Sequence, residues 1–173
     1  MPPFGTMAAI DTKNQKLLWH RSMGTPEQFG PLGMKTHMPI ELGMPTLGGA
    51  TPTASGLVFF SATSDYYLRA IDVASGEVVW KNPLPIGAGF IPLVFMSPED
   101  GRQYVVVTAN GARAAPDFGD CIIALALPNK RDRNGRGCSP TPAAFPNEES
   151  KFGMSHVTRV IHRRANPGQE GQY

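Results

Sequence analysis

A chain of 173 residues is long enough to enclose one ordinary domain with a sizeable core. A formal net charge of +2, 17% charged residues and no basic stripe interleaved with aromatics exclude a nucleic-acid-binding surface of the usual kind. No apolar run reaches the ~18–20 residues of a membrane span, and the opening MPPFGTMAAID has neither a basic nor an apolar leader region, so a protein that works outside the cytoplasm would carry its targeting segment upstream of these residues. Cys121 in an apolar run and Cys138 in a polar one make no disulfide framework and read as two separate thiols.

Gly (19) and Pro (17) are enriched, which suits a turn-rich all-β chain or a disordered one. Position along the chain separates the two. The body carries a repeat: AAIDTKNQKLLW at 8–19 returns as RAIDVASGEVVW at 69–80, with 61 residues separating Ala9 from Ala70, Asp11 from Asp72 and Trp19 from Trp80. Each copy reads as a hairpin. The aspartate accepts hydrogen bonds from turn amides. The tryptophan supplies a large flat face and an N–H that needs a partner. Gly76 takes positive φ; the first copy has Gln15 there, with Asn14 before it tolerating left-handed geometry.

Around the second hairpin, alternation and β-branched content predict strands at Leu57–Ala62, Tyr66–Asp72, Glu77–Lys81, Phe90–Met96, Gln103–Ala109 and Cys121–Leu127, with a turn at SPEDG, 97–101. Ile123-Ala124-Leu125 is a degenerate third copy with no tryptophan after it, and no helical period appears in 1–127. Four strands in about 60 residues mark a propeller blade. The expectation is one whole blade at about 44–83 between two partial ones, with the missing fourth strand of the last blade supplied from the N-terminal part of a longer protein. Unpaired edges would leave 1–130 poorly folded by itself. Residues 131–173 are rich in charge, Pro and Gly and are expected to be a disordered tail, with one weak helix at about Ser155–Arg164.

The pattern Ala-x-Asp-x-x-x-Gly-x-x-x-Trp at 70–80, matched at 9–19 except at Gln15, resembles the tryptophan-docking motif of quinoprotein alcohol dehydrogenases. MGTPEQFGPLGMKTHMPIELGMPTLGG and the hairpin after it are similar to the penultimate blade of the membrane-bound glucose and quinate/shikimate dehydrogenases. RQYVVVTANGA and GDCIIALALP are similar to their terminal blade. The resemblance covers about residues 4–130. It implies a C-terminal fragment of an eight-bladed β-propeller, with pyrroloquinoline quinone (PQQ) and a divalent metal, calcium or magnesium, held mainly by upstream residues. It also implies a polyol or hydroxy-acid substrate, electron delivery to ubiquinone, and a catalytic domain facing the periplasm from the bacterial inner membrane through an N-terminal anchor.

In such enzymes hydride passes to the quinone while a carboxylate base takes the hydroxyl proton. The resemblance places that base upstream, so Asp65, Asp117 and Asp120 are read as loop-closing groups and no catalytic or metal residue is assigned. Two stretches should approach the cofactor: Leu47-Gly48-Gly49 and Asn110-Gly111-Ala112, whose glycines let backbone come near a flat ligand. Leu47 and Ala112 lie 65 residues apart, close to one blade repeat. Glucose-type members have Gly-Gly-His where this chain has Asn110-Gly111-Ala112, then Arg113. A guanidinium there suits a carboxylate-bearing substrate, which favours quinate or shikimate over glucose. His20 and His37 lack company at metal-ligand spacing, and Trp19 and Trp80 are structural. The alternatives are a glucose dehydrogenase and a non-enzymatic propeller scaffold; LGMPTLGG and ANGARAAPDFGD argue against the scaffold.

Overall fold

The computed structural model describes residues 3–111 and 117–126, and the backbone of 160–162. Among them the chain is all-β, built from antiparallel sheets with one short 3-10 turn at Pro31–Gly33. Strands β1 (Thr6–Asp11) and β2 (Lys16–Ser22) form a two-stranded sheet. Strands β3 (Ala50–Pro52), β4 (Leu57–Phe60), β5 (Tyr67–Asp72) and β6 (Val78–Pro83) form a four-stranded meander in chain order. Strands β7 (Leu93–Met96), β8 (Gln103–Ala109), β9 (Cys121–Ala126) and β10 (Val160–His162) form a second four-stranded sheet.

The sequence repeat is a structural repeat. Ala9 faces Trp19 across β1–β2 and Ala70 faces Trp80 across β5–β6, and both pairs of strands shift register at the following residue, after Ala9 and after Ala70. Both turns are held by their aspartate: Asp11 accepts from the amides of Lys13 and Asn14, and Asp72 from the Ser75 amide and hydroxyl. The left-handed residue of the first turn is Gln15 itself (φ 52°), not Asn14; it stands where Gly76 (φ 71°) does in the second.

The middle sheet is buried on both faces because its strands alternate between two cores. Phe59, Leu68 and Ala70 meet Val105, Val107, Ala109, Ile123 and Leu125 of the β7–β10 sheet, sealed by Leu84 and Ala88. On the opposite face Phe60, Ala62 and Ile71 pack with Met23, Trp19 and Met7 of the first sheet. Each fully buried aliphatic here, such as Leu68 or Ile71, contributes about 1.5–3 kcal/mol. The first sheet's outward residues Ile10, Leu17 and Leu18 are exposed, as are Leu93 and Met96.

Strand ends differ modestly from expectation. β4 stops at Phe60, because Ser61 to Tyr66 form a buried corner, and β7 begins at Leu93, three residues after the predicted Phe90. Two larger corrections concern the tail. The edge of β9 is paired by Val160–His162, with Val160 opposite Ile123, so the last sheet takes its fourth strand from within this chain. Those residues lay in the stretch expected to be disordered, and inside the expected helix at about Ser155–Arg164; they form a strand because an open edge offers unpaired N–H and C=O groups to a β-branched segment. The rest of 131–173, with Cys138, lies outside the described residues.

Candidate functional site

Antiparallel meanders put alternate connections at opposite ends of a sheet. The tight hairpin turns, including 12–15 and 73–77, gather at one end. The longer connections 23–49, 61–66, 84–92 and the described part of 110–120 gather at the other, where contacts tie them together.

Three backbone stretches meet there. A Cβ placed on Gly48 would fall 2.6 Å from the Ala62 methyl carbon and 3.1 Å from the Gly89 carbonyl oxygen, so only glycine allows this approach. The Gly111 amide donates to the Gly87 carbonyl at 2.9 Å. Gly111 has φ of 112°, and a Cβ on it would meet the Asp117 carbonyl oxygen at 2.8 Å. A Cβ on Gly89 would touch only the Gly111 carbonyl oxygen, at 3.5 Å. The result is a ledge of bare backbone running from Gly48 through Gly89 to Gly111, flanked by the exposed side chains of Leu47 and Asn110. The structure thus joins the two stretches named from sequence. Ala112 and Arg113 lie outside the described residues. Gly87 and Gly89 were missed, although Gly-Ala-Gly at a strand-to-strand joint was a signal that could have found them.

Beside the ledge, three side chains from separate parts of the chain converge. The Tyr66 hydroxyl donates to Asp117 Oδ2 at 3.0 Å. The Lys35 ammonium lies 3.9 Å from the same oxygen and 5.8 Å from the centre of the Tyr66 ring. Burial, reinforced by Asp117, pushes the Tyr66 phenol up to about 12. Tyr66 is a buried non-glycine residue with φ of 65°, a conformation that persists where surroundings impose it. Asp65 supplies that constraint. It is fully buried, accepts the bidentate guanidinium of Arg69 and the Thr63 hydroxyl, and receives the Thr25 amide of the first sheet's exit at 2.8 Å. Asp65 and Asp117 therefore close loops. Lys35 and Tyr66 carried no signal in sequence, because their meeting depends on a 20-residue loop folding back across two sheets.

No group of three or more His, Cys, Asp or Glu residues among the described residues is arranged to hold a metal ion. His20 projects from β2 and His37 from the long loop, both exposed. Among the described residues no helix is long and apolar enough to cross a membrane.

Residues 1–105 match the family described as PQQ: Glucose/ethanol/alcohol dehydrogenase, beta-propeller domain. The chain belongs to this family. Within the PQQ propeller family it is 52% identical over 126 residues to a protein of Acinetobacter baylyi named quinate/shikimate dehydrogenase (quinone), covering 73% of this chain and 16% of that protein. A probable quinate dehydrogenase (quinone) of Xanthomonas campestris pv. juglandis is 50% identical over 128 residues, 74% of this chain and 16% of that one. The quinoprotein glucose dehydrogenase of Escherichia coli is 38% identical over 129 residues, again 74% and 16%. The solved quinohemoprotein alcohol dehydrogenase from Comamonas testosteroni superposes with a TM-score of 0.52 at 26% identity, over 86% of this chain and 19% of that one. The chain spans about one sixth of the length of the curated relatives it matches.

Gly89 leaves room for one side of a flat quinone cofactor, since an added Cβ would make only an ordinary contact with the Gly111 carbonyl oxygen at 3.5 Å. At Gly48 and Gly111 the Cβ direction is already filled by Ala62 and by the Asp117 carbonyl, so glycine there serves close backbone packing. The described residues do not supply a metal's ligand sphere.

Proposed function

We propose that this chain forms part of a PQQ-dependent dehydrogenase that oxidises an alcohol group of quinate or shikimate. The observation that carries the reading is the glycine ledge, where Gly48, Gly89 and Gly111 meet at one end of the sheets within a PQQ-family propeller. PQQ, when bound, accepts the hydride equivalent from the alcohol. In this reading Leu47, Gly48, Asn110, Gly111 and Ala112 form one side of the cofactor site. In the same reading the ledge excludes water from that side, and Arg113 is assigned to substrate binding. The metal, calcium or magnesium, and the catalytic base belong to other blades of an eight-bladed ring. Trp19, set against Gly76 of the next sheet, supports docking between blades, and the exposed apolar residues of the outer sheets support further neighbours. Electrons pass to ubiquinone, and the enzyme is held at the bacterial inner membrane with its catalytic domain in the periplasm. The quinone named for the relatives supports the acceptor class.

The substrate class rests on about 50% identity to relatives named for quinate, against 34–39% to those named for glucose. The test is to reconstitute the complete enzyme carrying these residues with PQQ and calcium or magnesium, and assay quinate, shikimate and glucose. Quinate or shikimate should be the good substrates. Glucose as the sole good substrate would establish the glucose-dehydrogenase alternative, and failure to bind PQQ would establish the scaffold.

A further inference from the structure

The connection from β2 to β3 runs from Met23 to Gly49, whereas the equivalent connection from β6 to β7 runs only from Leu84 to Pro92. The excess is the loop between Gly24 and Gly43, closed at its base by the Gly43 amide on the Gly24 carbonyl, at 3.1 Å. Its base is also pinned to the middle sheet through Thr25 and Asp65. From this anchored base the loop delivers one ammonium, Lys35, to Asp117 and the Tyr66 ring.

At 3.9 Å the ammonium is too far from Asp117 Oδ2 for a hydrogen bond, the loose spacing of a surface ion pair, so attraction aims it without fixing its N–H donors. The side chain is 48% exposed, so an incoming ligand can reach it. Asp117 is itself fixed by the Tyr66 hydroxyl, and Tyr66 by the Asp65–Arg69 pair. The Asp117 backbone touches the Cβ position of Gly111, which puts this arrangement at the ledge.

Building on the substrate reading above, we propose that Lys35 receives the carboxylate of the hydroxy-acid substrate, and that Asp117 and Tyr66 are positioning residues that aim it. Lys35 is then a determinant of specificity. A hydroxyl of an uncharged polyol gains only a hydrogen bond from the ammonium, whereas a carboxylate gains that bond and the attraction of opposite charges.

The test uses the complete PQQ-loaded enzyme carrying Lys35→Gln, with Lys35→Arg as the conservative variant and Arg113→Gln beside them. Lys35→Gln should raise KM for quinate about ten- to a hundredfold, with kcat changed less than about twofold. The ratio of kcat/KM for quinate to that for glucose or glycerol should fall, and Lys35→Arg should restore most of it. A binding readout runs without an electron acceptor: quinate should raise the Tm of the wild type, and that rise should be lost in Lys35→Gln. Unchanged quinate KM in a wild type that oxidises quinate overturns the proposal alone, and the same effect in Arg113→Gln only would reassign the carboxylate to Arg113. A weaker affinity for PQQ with quinate KM unchanged assigns the ammonium to the cofactor's carboxylates and overturns it. An equal loss toward every substrate with a lowered Tm makes Lys35 structural. A wild type that oxidises no carboxylated polyol overturns this proposal together with the substrate reading.

Discussion

The indole of Trp19 stands against the backbone of Gly76 in the neighbouring sheet: a Cβ on Gly76 would lie 2.5 Å from Trp19 Cδ2, and the indole N–H donates to the Val73 carbonyl at 2.7 Å. One glycine thus serves its own turn, with φ of 71°, and the seating of a tryptophan from the previous repeat. Gly76→Ala should destabilise the protein by about 2–4 kcal/mol, because it meets both the steric conflict and the left-handed backbone. Trp19→Phe keeps most of the apolar face and loses the hydrogen bond, at about 1–2 kcal/mol. Urea unfolding of the complete enzyme measures both; Gly76→Ala at wild-type stability would disprove the seating.

The Asp65–Arg69 pair should behave as a buried ion pair whose members cannot be removed singly. Arg69→Met leaves the Asp65 carboxylate buried, with Thr63 and Thr25 as its partners, and should cost about 3–5 kcal/mol. Replacing Asp65 with Asn in the same protein should recover part of the loss. A double-mutant cycle by thermal unfolding reads the coupling.

Tyr66 predicts an alkaline limb of stability. Its folded value is raised from 10 to about 12, so the folded state holds the proton more tightly. Its contribution is fully present below about pH 10 and is lost as pH rises through about 12. Tyr66→Phe should remove that part of the decline, seen as a smaller fall in unfolding midpoint between those pH values.

The acid limb has the opposite sign. The Ser75 side chain, joined by its amide, holds Asp72 below the ordinary carboxylate value of 3.8, and the Asn14 side chain does the same for Asp11. These turns contribute stability above pH 3.8, which is lost as pH falls through the lower folded values. Asp72→Asn should flatten the acid dependence of the unfolding midpoint; an unchanged slope would count against the turn's ionic character.

The ledge predicts a separation of cofactor binding from stability. Gly89→Ala adds a methyl group whose nearest neighbour is the Gly111 carbonyl oxygen at 3.5 Å, an ordinary contact, so the fold should tolerate it. On the cofactor placement proposed above the added group narrows the quinone's space, and the PQQ dissociation constant should rise by about an order of magnitude. Gly48→Ala should cost stability as well, since its methyl would meet Ala62. Titration of the apoenzyme with PQQ, alongside Tm, separates the two.

Sequence alone determined the hairpins, their turns and their equivalence. Ala, Asp, Gly or its substitute, and Trp act within a dozen residues, where backbone conformation and side-chain hydrogen bonds are local. It also named Leu47, Gly48, Asn110 and Gly111. Only the tertiary structure decided that Gly89 lies between them, that Lys35 and Tyr66 meet at Asp117, and that β10 rather than an outside strand pairs β9. Those relations join residues far apart in the chain, and no local periodicity encodes them. They arise because the middle sheet buries both faces and so fixes its neighbours, bringing the long connections of all three sheets to one end.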